Sequence, residues 1–185
     1  MIAVGASAGI AAWMVQRQSQ AAAQDSSAET PDALTQAADL LQTGINAIMP
    51  YTLATLLPKN APYIEALRAA EARYGIPSGL LVAQAWQESR FNSNAVNPGS
   101  GAQGIMQFMP ATAAEWGVNP FDAYSAIDGA GKYMAWLYRQ TGDWRLALAA
   151  YNWGIGNVTR KGLASAPRET RDYVASISTN SGALA

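Results

Sequence analysis

The sequence predicts a mainly α-helical domain preceded by apolar N-terminal helices. Three observations predict it. Half of the 185 residues are apolar, and alanine supplies much of that share, a composition that favours closely packed helices over a β-sandwich. From Pro62 onward, apolar residues recur three to four positions apart, the spacing of one helix face. No stretch alternates long enough to be a strand, a short hairpin within residues 92–107 aside.

Residues 1–15 are continuously apolar or small, and Arg17 closes the run. As a helix they would span roughly 22 Å, short of a hydrocarbon core of about 30 Å. Residues 1–17 therefore read as a signal, a short membrane anchor, or a buried or disordered N-terminal helix. No Lys or Arg precedes the run, which counts against a signal peptide. Residues 18–33, rich in Ala, Ser, Gln and acids, read as a linker. Residues 34–60 form an apolar helical segment, with Leu34, Ala37, Ala38 and Leu41 at helical spacing. Pro50 bends or breaks it, because proline lacks an N–H and clashes with the preceding turn. This segment either touches lipid or packs on the domain that follows.

Pro58 and Pro62 mark the boundary of that domain. Residues 63–74 carry Ile64, Leu67 and Ala70 or Glu71 one to two turns apart, and Gly75 suits the left-handed end of their helix. Ser78 is placed to cap the next helix with its hydroxyl. In that helix Leu81, Ala85 and Glu88 share a face, so Glu88 continues a buried stripe. Desolvation there raises its pKa and keeps it partly protonated near neutrality. Gly99, Gly101 and Gly104 make the following loop one of close backbone approach.

A short helix is expected over residues 112–116, with Pro110 near its first turn. A long one follows over 125–139, built on Ile127, Ala130 and Leu137, with Tyr133 and Trp136 as packing residues. The run LALAA at 146–150 predicts the core helix, over 144–151, ended by Gly154 and Gly156. A last helix over 168–177 closes the domain, and 179–185 form a tail.

The chain carries a net charge of -1. Residues 1–58 hold one arginine against four carboxylates, whereas residues 59–185 hold eleven basic residues against nine acidic ones. A mildly basic domain suits a polyanionic or mixed-charge polymer, and the bias is far too weak for nucleic acid. Cysteine and histidine are both absent. That excludes disulfides, thiol and Ser-His-Asp nucleophiles, and Cys- or His-based metal sites. No EF-hand loop pattern occurs either, so no metal or cofactor is expected. Acid–base work falls to carboxylates, tyrosines or lysines. Glu88, ending an apolar helix beside a glycine- and amide-rich segment, is the candidate proton donor to a bound sugar polymer.

Two blocks carry a family resemblance. The first opens with ESRF at 88–91, passes Ala95 and continues as GAQGIMQFMPAT at 101–112; the second is AYNWG at 150–154. Over residues 61–178 the chain resembles the soluble lytic transglycosylase (SLT) family, whose lysozyme-like domain cleaves peptidoglycan. Goose-type lysozyme is a more distant relative with the same helical plan. The resemblance implies a lysozyme-like helical domain with a glycan cleft and Glu88 as the catalytic acid. It implies that Ser89 shapes the site and that Gly104, Met106, Gln107, Met109 and Pro110 line the cleft. Tyr151 is expected to point its hydroxyl at the carboxylate. Asn152 would support the turn or contact sugar, and Tyr173 matches a late tyrosine at the cleft. Trp153 departs from the small residue common in the family, as sugar platform or core filling. Ile105 replaces a frequent leucine.

The implied reaction cuts the β-1,4 bond between N-acetylmuramic acid and N-acetylglucosamine and leaves a 1,6-anhydromuramoyl end. The alternatives are a hydrolytic muramidase using Glu115, Asp122 or Asp128 as second acid, a non-catalytic wall-binding component of a virion or envelope, and a chitin-directed enzyme. Peptidoglycan glycan strands are the expected partner. Residues 1–57 offer association with a membrane, a virion or a secretion complex. The expected location is the bacterial envelope, with or without a membrane anchor, or a phage virion.

Overall fold

The computed structural model describes residues 57–184 together with Thr55. The readings of residues 1–17 as signal or anchor and of 18–33 as linker, and nearly all of 34–57, lie outside the described residues. A 3-10 turn at Pro58–Asn60 leads into α1 (Ala61–Tyr74) and then α2 (Leu80–Ser89). A long loop follows, then α3 (Pro110–Trp116), α4 (Ala123–Thr141), α5 (Trp144–Trp153) and α6 (Ile155–Lys161). A second 3-10 turn at Leu163–Ser165 precedes α7 (Arg168–Ser181). Among the described residues there is no strand. The expected hairpin reduces to two isolated antiparallel bridges, Val96 with Gln103 and Gln103 with Phe108.

The core gathers around α2 and α5. α1 packs on α2 and α4, α4 on α5, and α7 on both α2 and α5. Residues 80–85 are all buried, so α2 is enclosed on every side over that stretch and not along one stripe only. Residues 147–150 are likewise fully buried, the LALAA run acting as the core segment. Each such leucine removed from water contributes on the order of 1.5–3 kcal/mol. α1 and α4 approach closely at Gly131, where an added Cβ would sit 2.4 Å from the Tyr74 ring.

Helix α2 does not start as the sequence suggested. Its N-cap is Gly79, at φ 87°, and Ser78 makes no cap. Ser78 lies one residue too early to reach the free N–H groups. The buried carboxylate of Glu71, from the end of α1, takes that place. It accepts from the backbone N–H of Gly79 at 2.8 Å, Leu81 at 2.8 Å and Val82 at 3.2 Å. A carboxylate at a helix N-terminus meets both unpaired donors and the positive end of the dipole. Burial pushes the Glu71 pKa up, and the three backbone bonds pull against it.

Two differences follow the core. Gly154 ends α5 (φ 92°, ψ 135°), but Gly156 ends nothing; it lies inside α6, which starts immediately after the Gly154 corner. The sequence reading missed α6 because two glycines so close together look like a loop. α7 runs past its expected end at Ile177, to Ser181, and Gly182 in the left-handed region stops it. Tyr173, Val174 and Ile177 are buried on one side of α7, which seats that side on α2 and α5.

Candidate active site

The site is built where α2 stops. Arg90 and Phe91 both take positive φ, 57° and 61°, and turn the chain sharply away. Glu88 is thereby left in the last turn, 2% exposed. Ser89 ties this helix end to the loop. Its hydroxyl donates to the Ile105 carbonyl at 2.8 Å and accepts from the Asn92 N–H at 3.1 Å.

The loop is pinned through its own backbone. Gln103 and Phe108 exchange both N–H···O bonds at 2.9 Å, and the Gly104 N–H reaches the Ala95 carbonyl at 2.8 Å. Gly104 has φ 74°, and a Cβ there would lie 1.7 Å from the Pro120 carbonyl oxygen. Gln107 sits at φ 49°, a conformation that costs a non-glycine residue of order 1–3 kcal/mol. Its side chain offsets that cost: Nε2 donates to the Gly104 carbonyl at 2.8 Å and the Ala95 carbonyl at 3.3 Å.

Tyr173, reaching in from α7, donates its hydroxyl to Glu88 Oε1 at 2.6 Å. Glu88 Oε2 is buried with no hydrogen-bond partner. Burial pushes the Glu88 pKa from an ordinary 4.5 up to about 8, against the opposing pull of Tyr173 and of the nearby Gln84 amide. Gln84 lies close enough to act on the carboxyl, yet its own Nε2 and Oε1 meet no partner in hydrogen-bonding geometry. At neutral pH the carboxyl therefore holds its proton. With Tyr173 on Oε1, that proton belongs on Oε2, which no protein group claims.

The tyrosine on the carboxyl is thus Tyr173, where the resemblance pointed to Tyr151. The Tyr151 hydroxyl donates to the Met106 carbonyl at 2.9 Å. Its pKa is driven well up by burial and then by the charge of Glu88, so it lies near the acid but is bonded to the loop. From α5 its ring meets Phe108 edge-on at 5.9 Å and Tyr133 at 5.3 Å. The aromatic row continues from Tyr133 to Trp136 and Trp116. Burial pushes the Tyr133 hydroxyl up to about 12.

The other expected site residues serve several different ends. Ser89 ties the loop to α2, and Gly104 and Gln107 pin the loop on itself, as described. Met106 and Ile105 are completely buried, so the Met106 side chain is core packing and not an open cleft wall. Met109 is half-buried at the N-cap of α3, and Pro110 opens that helix. Asn152 is buried and accepts the Thr170 hydroxyl at 2.8 Å, joining α5 to α7. Trp153 is half-buried, with the Lys161 ammonium 5.5 Å from its ring centroid. Of the candidate second acids, Asp122 caps α4 and Asp128 pairs with Arg73 and Lys132. Glu115 is exposed on α3. Among the described residues, none of the three figures among the influences on the Glu88 proton, and no Asp/Glu group is arranged to hold a metal ion. The sequence reading missed Gln84. The signal was a polar residue one turn before Glu88 inside the apolar run LLVAQA.

The helical domain thus shields a protonated carboxyl at the end of a helix, an arrangement suited to general-acid chemistry. Residues 65–174 match the family described as the Transglycosylase SLT domain. That span exceeds half of the chain and lies inside residues 61–178: the chain belongs to this family. It is 34% identical over 115 residues to the membrane-bound lytic murein transglycosylase F of Pasteurella multocida (strain Pm70), covering 57% of this chain and 22% of the relative. It is 38% identical over 93 residues to the protein of that name from Shewanella pealeana, covering 45% and 19%. The chain therefore spans about a fifth of the length of these curated relatives. Its fold is similar to the X-ray structure of an inactive glutamate-to-glutamine mutant of lytic transglycosylase Slt from Pseudomonas aeruginosa. That likeness has a TM-score of 0.55 at 28% identity and covers 63% of this chain and 23% of that one.

Proposed function

We propose that this chain is a peptidoglycan lytic transglycosylase, with residues 61–178 as the catalytic unit and Glu88 as both acid and base. The observation that carries this reading is the shielded Glu88 carboxyl, with its pKa near 8 and an unclaimed Oε2. Glu88 gives its proton to the oxygen between N-acetylmuramic acid and N-acetylglucosamine, and the glycosidic C–O bond breaks. The neighbouring 2-acetamido oxygen covers the anomeric carbon as positive charge builds there. The Glu88 carboxylate then takes the proton from the muramic acid C6 hydroxyl, whose oxygen closes the 1,6-anhydro ring. The acid is restored, and no water is consumed.

An intramolecular hydroxyl gains several kcal/mol from proximity where its geometry is good, which lets one carboxylate serve both steps. Hydrolysis by a muramidase calls instead for a second acid or a held water, and Asp122 and Asp128 are already committed to structural bonds. The relatives' names support the same chemistry, and the inactive relative lost its activity through a glutamate-to-glutamine change. Mass spectrometry of released muropeptides tests the proposal. Ends lighter than a reducing end by the mass of one water support it; reducing ends make the protein a muramidase. No loss of turbidity from purified peptidoglycan makes it a wall-binding component.

The membrane-bound relatives favour action in the bacterial envelope, with residues 1–17 as a signal or anchor ahead of a linker at 18–33 and an apolar segment at 34–60. A phage virion gains no support from them. Among the described residues no helix is long and apolar enough to cross a membrane, so an anchor would fall to the N-terminal part. Detergent-dependent solubility of the full chain, set against a 60–185 fragment, tests it.

A further inference from the structure

Gln84 is a buried polar side chain that the reaction above leaves unused. It is 0% exposed, on α2, one turn before Glu88, between the equally buried Leu81 and Ala85. Neither its Nε2 nor its Oε1 has a hydrogen-bond partner, and Glu88 Oε2 is also unpaired. A buried amide with neither bond made is destabilising, and an apolar side chain of similar shape would fit the interior better. Residues four apart on a helix lie on the same face, so the Gln84 amide and the Glu88 carboxyl are neighbours. Tyr173 already occupies Oε1. The carboxyl oxygen left for a second donor is Oε2.

We propose that Gln84 is a positioning residue for Glu88: its amide N–H closes onto Oε2 once the carboxyl has given up its proton, and holds the anion in place to act as base. The inference rests on the acid–base role proposed for Glu88. While Glu88 is protonated, Oε2 carries the proton and is only a weak acceptor for the amide. When Glu88 is ionised, the bond becomes charge-assisted and stronger than a neutral one. The Gln84 amide lowers the proton affinity of both Glu88 and Tyr173, so it stands close to both groups while still short of hydrogen-bonding geometry with either. The titratable groups facing Glu88 are Tyr173 from α7 and Tyr151 from α5. Glu71, from α1, is committed to the backbone at the far end of α2. Arg90 lies over the Trp86 ring at 4.2 Å.

The test replaces Gln84 with methionine, which keeps length and volume, and separately with alanine. The Glu88 carboxyl is followed by its carbon-13 shift from pH 5 to 9.5, together with melting temperature and muropeptide release. In Gln84→Met the Glu88 titration midpoint is expected to rise by about one unit, the worth of a lost charged hydrogen bond. The alkaline limb of kcat/KM moves up with it, kcat falls about tenfold, KM stays unchanged, and the melting temperature does not fall. Gln84→Ala shows the same midpoint shift at lower stability. An unchanged midpoint with a lower melting temperature overturns the proposal and makes Gln84 packing. Failure of both variants to fold overturns it too. The titration needs no turnover: a wild-type protein that releases no muropeptide defeats the proposed function, and the midpoint still decides the role of Gln84.

Discussion

Glu88→Gln replaces the shielded acid by a near-isostere that cannot ionise. In the folded protein the carboxyl titrates near pH 8, against an ordinary 4.5 in an unfolded chain. Below pH 4.5 both states hold the proton, and the group adds no pH dependence. Between 4.5 and 8 the unfolded chain releases its proton while the folded one keeps it, so stability falls as pH rises. The slope is about 1.4 kcal/mol per pH unit, which accumulates to about 3 kcal/mol at pH 7 and about 5 kcal/mol above pH 8. Glutamine removes this dependence. In its place it sets a buried amide NH₂, with two donors, where the carboxyl Oε2 had no partner, a pH-independent cost of about 1–3 kcal/mol, while Tyr173 can still donate to its carbonyl. The variant is therefore expected to be slightly less stable than wild type at pH 4 and more stable at pH 8 and above. Its stability relative to wild type should change by about 5 kcal/mol across the window. Urea denaturation of both proteins at half-unit steps from pH 4 to 9 measures this, and titrations elsewhere in the chain cancel in the difference. Glycan cleavage should fall by on the order of 10²–10⁴. A difference in stability that is flat with pH would refute the argument, because Glu88 would then titrate as an ordinary exposed acid.

The same pKa predicts that wild-type kcat/KM declines as pH rises through about 8, followed by initial rates of muropeptide release. Tyr173→Phe removes a donor that favours the Glu88 anion, so this decline should move to higher pH, with a stability loss of about 1–3 kcal/mol measured in urea. Gly104→Ala forces a Cβ into the Pro120 carbonyl at a positive-φ position and should destabilise by about 3 kcal/mol or more, read by thermal melting. Glu71→Ala strips three backbone N–H groups of their acceptor. It should cost about 2–5 kcal/mol, with amide hydrogen exchange rising first at residues 79–82.

Helix positions were legible wherever apolar spacing ran long, as in α1, α4 and α5. They were least legible at the joins. Ser78 looked like a cap because the rule reads neighbours along the chain, whereas Glu71 reaches the same N–H groups from the previous helix. Gly156 looked like a stop because its place inside α6 depends on the corner made by Gly154. Glu88 was legible as an acid on an apolar face, and its flanking blocks named the family. Met106 and Asn152 were legible as motif members but not as core and inter-helix supports.

Local order along the chain determined the helical class, the buried acid and the absence of cysteine and histidine chemistry, since these depend on residue type and on spacing within a few turns. Tertiary structure alone decided which tyrosine meets that acid. Tyr151 and Tyr173 stand far from Glu88 along the chain and both lie near it in space. The packing of α5 and α7 assigns one hydroxyl to the Met106 carbonyl and the other to the carboxyl. Burial from several helices at once then sets the proton affinity of Glu88, because desolvation depends on everything that surrounds a group and not on the residues beside it in sequence.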